Sequence, residues 1–172
     1  MVSNVLIILR GPSGAGKSTV AKKLQETSSH DTLIVEQDYY RHILLADRPD
    51  AKQIVPEIIY TTTLTALEAG YSVIVEGIFN RDKYLSMFQK LADNFRGETY
   101  VYYFDVPFDE TVKRHSTRDK VALFGVEEMK TWYLLAGPLG TLGEQVIKKE
   151  SSETETIALI KQQTGIGPSD AV

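Results

Sequence analysis

The sequence predicts an α/β fold built on a parallel sheet, on three observations. Short apolar runs alternate with helix-length segments along the whole chain. The runs are apolar throughout rather than at every second residue, as strands covered on both faces require. A glycine-rich loop joins the first run to the first helical segment, at the point where such sheets bind ligands.

The elements follow in order. Val5 to Leu9 is the first buried strand. Beyond the glycines, Ser18 to Gln25 puts Val20, Ala21 and Leu24 on one side of a helix. Thr32 to Val35 is a second buried strand. A longer helix runs from about Asp50 to Ala69. It is expected to turn Ile54, Ile58, Thr62, Thr65 and Leu67 or Ala69 inward, with Pro56 near its start and Gly70 as its stop. Ser72 to Val75 is the third strand. Asn80 is positioned to cap a helix in which Tyr84, Leu85, Phe88, Leu91 and Phe95 recur at helical spacing, with Gly97 ending it. Thr99 to Phe104 is the fourth strand, Asp109 is the expected cap of the helix after it, and Gly125 to Leu135 is helical. Gln145 to Lys148 is the fifth strand. Ser152-x-x-Glu155 is a capping box for a last helix stopping at Gly165. Residues 1–165 are expected to form one domain, and 166–172 a frayed tail.

Composition narrows the function. The chain has 172 residues, 42% apolar and 24% charged, which is ordinary for a globular protein and unlike a disordered one. It contains no cysteine, which excludes disulfides, thiolate zinc sites and cysteine nucleophiles. His30, His42 and His115 lack the spacing of metal ligands. No apolar run approaches the length of a membrane span, and the first is interrupted by Arg10 where a secretory signal would continue. A cytoplasmic protein without membrane attachment is expected. The net charge of -4 argues against wholesale binding to nucleic acid, while leaving a local basic groove open.

The strongest motif is Gly11-Pro-Ser-Gly-Ala-Gly-Lys17-Ser18, a full match to G-x-x-x-x-G-K-[ST] between a buried strand and a helix. Gly11, Ser13, Gly14, Ala15 and Gly16 can turn successive N–H groups toward a polyphosphate, and the helix start adds partial positive charge. Lys17 can reach the β- and γ-phosphates, the Ser18 hydroxyl can ligate Mg²⁺, and Thr19 can touch the α-phosphate. The chain lacks the D-x-x-G and N-K-x-D strings of GTPases. Its third strand ends in Glu76-Gly77 rather than the Asp-Glu pair usual in motor ATPases. A small ATP- and Mg²⁺-dependent phosphotransferase is therefore expected.

The second strand runs into Glu36-Gln-Asp38-Tyr-Tyr-Arg41. Asp38 is placed to accept the proton of an attacking hydroxyl, and Arg41 to clamp an anionic or polar part of the acceptor. Alternatively, Asp38 caps a helix and Arg41 is its surface partner. Glu76 is a candidate metal neighbour or a solvated turn carboxylate. Arg81 shares its rim and, with Asp38, Arg41 and Glu76, is a candidate for the substrate side, while Asn80 on the same rim reads at least as well as a helix cap. Arg114 and Arg118, four apart, can steady a polyphosphate during transfer, or belong to a solvated basic face.

These residues resemble the kinases of the polynucleotide 5′-kinase, zeta-toxin and chloramphenicol phosphotransferase-like group. GPSGAGKS, DYYR and FDVPFDETVKRHSTR look like that group's phosphate loop, acceptor D-x-x-R and lid arginines, over roughly the first two-thirds of the chain. The resemblance implies a five-stranded parallel sheet in the order 2-3-1-4-5 with helices on both faces. It also implies that Lys17 and Ser18 bind ATP and Mg²⁺, that Asp38 is the general base, that Arg41 contacts the acceptor, and that Arg114 and Arg118 come from a lid. The acceptor does not carry over. A small-molecule alcohol such as a nucleoside, sugar or antibiotic is the leading expectation. A polynucleotide 5′-hydroxyl and a nucleotide-binding regulator without transfer are the alternatives.

Overall fold

The computed structural model describes residues 4–48, 53–116 and 125–167. Five parallel strands, β1 (Val5–Arg10), β2 (Thr32–Glu36), β3 (Ser72–Gly77), β4 (Glu98–Asp105) and β5 (Gln145–Lys148), form one sheet. Their order is β2-β3-β1-β4-β5, as the family resemblance implied. Among the described residues six helices accompany them: α1 (Lys17–Glu26), α2 (Val55–Glu68), α3 (Arg81–Asn94), α4 (Phe108–Ser116), α5 (Val126–Leu134) and, after the last strand, α6 (Glu153–Thr164). A single wide turn of π-helix, Tyr39–Leu44, follows β2 and is closed by the Leu45 N–H donating to the Tyr40 carbonyl at 3.1 Å.

The pleat of β1 distributes its side chains between two cores. Leu6 and Ile8 join Val73, Val75 and Val101 beneath α2 and α3, while Val5, Ile7 and Leu9 join Ile74, Tyr102 and Phe104 beneath α1 and α6. All six residues of β1 are buried, and so are all six of β3. β2 lies at the sheet edge and only Val35 is fully buried, so the apolar run that reads as an interior strand is half covered.

Several local expectations are met and others shift. Asn80 caps α3, its Oδ1 accepting from the Lys83 N–H at 3.2 Å. Ser152 and Glu155 form the reciprocal box at the start of α6, and Gly165 ends that helix in the left-handed conformation. α2 buries Leu67 as expected, but Val55, Ile59 and Thr63 in place of Ile54, Ile58 and Thr62, one residue out of phase, and Thr65 is exposed. The sequence offers both phases, because Ile54-Val55 and Ile58-Ile59 are paired apolar residues, and packing on the sheet selects the second. The start expected at Asp50 lies outside the described residues, and α2 begins at Val55 with Pro56 in its first turn. Asp109 sits inside the first turn of α4 rather than capping it, since the helix already starts at Phe108 after Pro107. Residues 168–172, most of the tail expected to fray, lie outside the described residues.

Because the strands are parallel, their carboxyl ends share one rim. Register pairs Leu9 with Glu76, Arg10 with Gly77 and Glu36 with Glu76. The rim thus gathers the glycine loop, Glu36, Glu76 and the π-turn within a few residues of one another.

Candidate active site

The glycine loop is shaped by its own backbone and by close neighbours. Gly11 has φ 144°, and a Cβ there would lie 2.7 Å from the Phe104 carbonyl oxygen. Gly14, at φ 82°, would bring a Cβ within 2.9 Å of the Thr111 carbonyl oxygen. Glycine is required at both positions by conformation and by space together. Lys17 is buried and its ammonium donates to the Pro12 carbonyl at 2.8 Å, across the mouth of the loop. Helical geometry leaves the first-turn N–H groups of α1 without intrahelical acceptors, pointing at the same mouth. Ser13 is half-buried within the loop, while Ser18 and Thr19 are exposed at the start of α1.

Ser18 is tied to the end of β3, its hydroxyl donating to Glu76 Oε1 at 2.9 Å. Glu76 is 5% exposed. Burial is the main reason its carboxyl is held above the ordinary range; Lys17 and the Ser18 hydrogen bond oppose the shift, and Glu36 and Asp38 reinforce it. Lys17, Ser18, Glu36 and Asp38 thus all lie close enough to act on one buried carboxyl group. This hydroxyl–carboxylate pair at the loop mouth is a hard oxygen donor set suited to Mg²⁺, an ion that typically takes one or two carboxylates and completes its shell with phosphate and water. Among the described residues there is no group of three or more His, Cys, Asp or Glu able to hold a metal on its own.

Asp38 has helical backbone angles and its side chain caps nothing. His42 Nε2 lies 3.7 Å from Asp38 Oδ1, and the opposite ring nitrogen is 2.6 Å from Asp47 Oδ1. One turn from Asp38, Arg41 lines a cleft of about 270 Å³ that reaches Val55, Lys83, Trp132 and Leu135. Trp132 lines it together with Phe79 and Tyr84. Tyr40 is buried in the core under α2, Tyr39 is exposed, and Tyr133 packs edge-on against Phe108 with ring centroids 5.3 Å apart.

On the opposite flank of the loop a second cleft, also about 270 Å³, is lined by Ala15, Gly16, Thr19, Arg114, Lys149 and Thr156. Arg114 enters it from α4, with its Nε donating to Glu110 at 2.8 Å. Arg118 lies outside the described residues. Arg81 is on the rim, and its Nε donates to the Leu139 carbonyl at 3.0 Å, holding the loop between α5 and β5. The motifs bring the phosphate loop, Glu76, Asp38 and Arg41 to one rim, with Arg114 in the cleft on its other flank.

A further pair was not legible as part of the site. Arg10 is fully buried at the end of β1 and forms a 2.8 Å ion pair with Glu144, whose side chain is 4% exposed. The guanidinium also donates to the carbonyls of Phe79 at 2.8 Å and Gly137 at 2.9 Å, and lies 5.4 Å from the Tyr103 ring centroid. Glu144 Oε2 in turn accepts from the Leu139 N–H at 2.6 Å. The residue just before the phosphate loop therefore fixes both Phe79, a non-glycine residue at φ 49° beside the Arg41 cleft, and the loop behind that cleft. The only hint in the sequence is a charged residue closing a strand that is otherwise apolar.

A family model described as an AAA domain matches residues 6–130. No curated protein matches the chain. Among solved structures, a candidate kinase from Chloroflexus aurantiacus superposes with a TM-score of 0.74 at 18% identity, covering 97% of this chain and 99% of that one. The APS kinase CysC of Mycobacterium tuberculosis, in complex with AMPPNP and APS, gives 0.72 at 16% identity, covering 94% and 98%. The Pnkp1/Rnl/Hen1 RNA repair complex gives 0.59 at 22% identity, covering 78% of this chain and 45% of that one. At these identities the likeness is one of fold, a nucleotide-binding fold shared with kinases.

Proposed function

The chain belongs to the family described as an AAA domain, and on that premise we propose that it is an ATP-dependent kinase that phosphorylates a hydroxyl group of a small molecule. In this reading residues 1–165 act as one kinase unit of the polynucleotide-kinase, zeta-toxin and chloramphenicol phosphotransferase-like subgroup, working in the cytoplasm where ATP is abundant. The observation that carries it is the meeting, on one rim, of a glycine cradle, the Ser18–Glu76 pair and a cleft entered by Arg41 beside Asp38.

The nucleotide lies with its phosphates in the loop and its base toward the cleft bearing Arg114 and Lys149. Lys17 leaves the Pro12 carbonyl for the β- and γ-phosphates, exchanging one oxygen acceptor for a charged one. Ser18 and Glu76 would hold Mg²⁺, which supplies positive charge against the phosphate oxygens when bound. The acceptor occupies the cleft at Arg41 with its hydroxyl facing Asp38. Asp38 accepts the hydroxyl proton, the oxygen bonds to the γ-phosphorus, and the bond to the β-phosphate oxygen breaks to release ADP. Arg114 offsets the charge gathering on the leaving phosphates.

The test is transfer of label from γ-labelled ATP to a mixture of candidate alcohols. Labelled phosphomonoester is expected with Mg²⁺ and is lost with EDTA or in Lys17→Ala. Release of labelled inorganic phosphate alone, with no alcohol labelled, contradicts the proposal.

A further inference from the structure

The cleft at Arg41 differs from a site for sugars in which of its polar groups are available. A polyol is held by side-chain amides, hydroxyls and carboxylates that exchange hydrogen bonds with each of its hydroxyls. Here several of the neutral polar atoms are already engaged within the protein. Gln37 Oε1 accepts from the N–H groups of Ile78 and Phe79 at 3.0 and 3.3 Å, and the same amide hydrogen-bonds Tyr84. Asn80 Oδ1 caps α3, and the Thr131 hydroxyl donates to the Glu127 carbonyl at 3.2 Å. Among the described residues lining this cleft none is acidic, and Asp38 beside it is outweighed by Arg41 and Lys83, so a polycationic acceptor meets walls of net positive charge.

The remaining surface is apolar and cationic. Val55, Ile78, Leu135 and Trp132 form the walls, and Arg41 and Lys83 bring two positive charges to them. Leu135 is 46% exposed, a large apolar side chain at the mouth that a ligand would cover. An indole face beside aliphatic walls favours a flat ring, which buries much area at little entropic cost. The guanidinium of Arg41 favours a planar anion, with two parallel donors. The volume of about 270 Å³ suits a small ring system rather than an oligomer.

We propose that the acceptor is an alcohol carried on an aromatic or heteroaromatic ring that also bears one anionic group, a carboxylate or a phosphate. The ring packs between Trp132 and the aliphatic wall, the anion pairs with Arg41, and the hydroxyl is left facing Asp38. This identification rests on the kinase reading for the location of the acceptor, and the two can fail separately.

Trp132 is the sole tryptophan of the chain, so its emission reports on this cleft alone. The full chain, loaded with AMPPNP and Mg²⁺, is titrated with 4-(hydroxymethyl)benzoate, benzyl alcohol, gluconate and kanamycin. The ring anion is expected to change the emission saturably, with benzyl alcohol and gluconate each at least tenfold weaker and kanamycin silent. In Arg41→Gln the advantage of the ring anion over benzyl alcohol should vanish while binding of benzyl alcohol persists. Gluconate or kanamycin acting at the same or lower concentration overturns the proposal, as does an emission unmoved by the ring anion. A short 5′-hydroxyl oligonucleotide binding more tightly than the ring anion overturns it too. Parallel γ-labelled ATP assays separate the two readings. Ring-anion binding without labelled product removes the kinase and leaves the cleft's preference standing. Label on gluconate without ring-anion binding does the reverse.

Discussion

The two flanks of the phosphate loop are made by different means. On the flank proposed for the nucleotide, the cradle is eight consecutive residues whose shape comes from glycine backbone and a helix start, with Arg114 and Lys149 added at its border. On the flank proposed for the acceptor the lining comes from several separate segments. Gln37 and Arg41 come from the turn after β2, Val55 from α2, Ile78 and Phe79 from the end of β3, and Trp132 and Leu135 from α5 and its end. A polyphosphate has one shape, so a backbone device encoded in one short string serves it. An acceptor is particular to each enzyme, and its side chains can be supplied by any segments the fold brings together.

Arg10 links the flanks, since it precedes Gly11 and holds Phe79, Gly137 and Glu144. Arg10→Met leaves the Glu144 carboxylate buried without its partner. This is expected to lower stability by ~3–5 kcal/mol in a urea titration. The double variant Arg10→Met, Glu144→Gln should recover a substantial part of that loss. No recovery would mean that Arg10 acts through its carbonyl contacts rather than through the ion pair.

Lys17→Ala strikes only the nucleotide flank. Transfer should fall by ~10²–10³ in kcat, with ATP binding weakened as well. Ring-anion binding read by Trp132 in the absence of nucleotide should be unchanged. A parallel loss there would show that the two flanks do not separate as described.

Glu76 lies at the seam, and its carboxyl is raised above the ordinary range chiefly by burial. Below the unfolded pKa the group is neutral in both states and the buried carboxyl costs little. As pH rises through the folded value the ionised form must be kept buried, and that stability is lost. Glu76→Gln removes the ionisation. Thermal melts without nucleotide should show the variant gaining on the natural protein as pH rises from 4 toward 8, with Mg²⁺ and ATP stabilising it less than the natural protein. A gap that narrows with pH contradicts the buried, raised carboxyl.

Ser152→Ala gives the smallest change. The capping box of α6 follows Lys149, and Thr156 in the first turn of that helix lines the nucleotide cleft. Stability should fall by ~1 kcal/mol, within the ~0.5–2 kcal/mol spread of lost N-caps. KM for ATP should rise modestly and KM for the acceptor should not. An equal rise in both would blur the division between flanks.

How much the sequence told follows the same division. The loop, the cap at Asn80 and the box at Ser152 were legible, because each rests on local spacing or on a motif with one structural context, whereas the strand order was implied only by the family resemblance. The face of α2 was not, since Ile54-Val55 and Ile58-Ile59 satisfy two phases and only the sheet chooses between them. The π-turn after β2 carries no signature of its own among Tyr39-Tyr40-Arg41-His42. Arg10 and Glu144 are 134 residues apart in sequence, and no pattern announces that a charged strand end will be paired in the interior.

The central claim is that backbone grips the nucleotide while a side-chain carboxylate activates the acceptor. Asp38→Asn tests it most directly, with ATP affinity and single-turnover phosphoryl transfer measured on the same preparation. The variant should bind ATP as the natural protein does and transfer ~10²–10⁴ times more slowly. Unchanged transfer, or a loss of ATP affinity matching the loss of rate, would contradict the account.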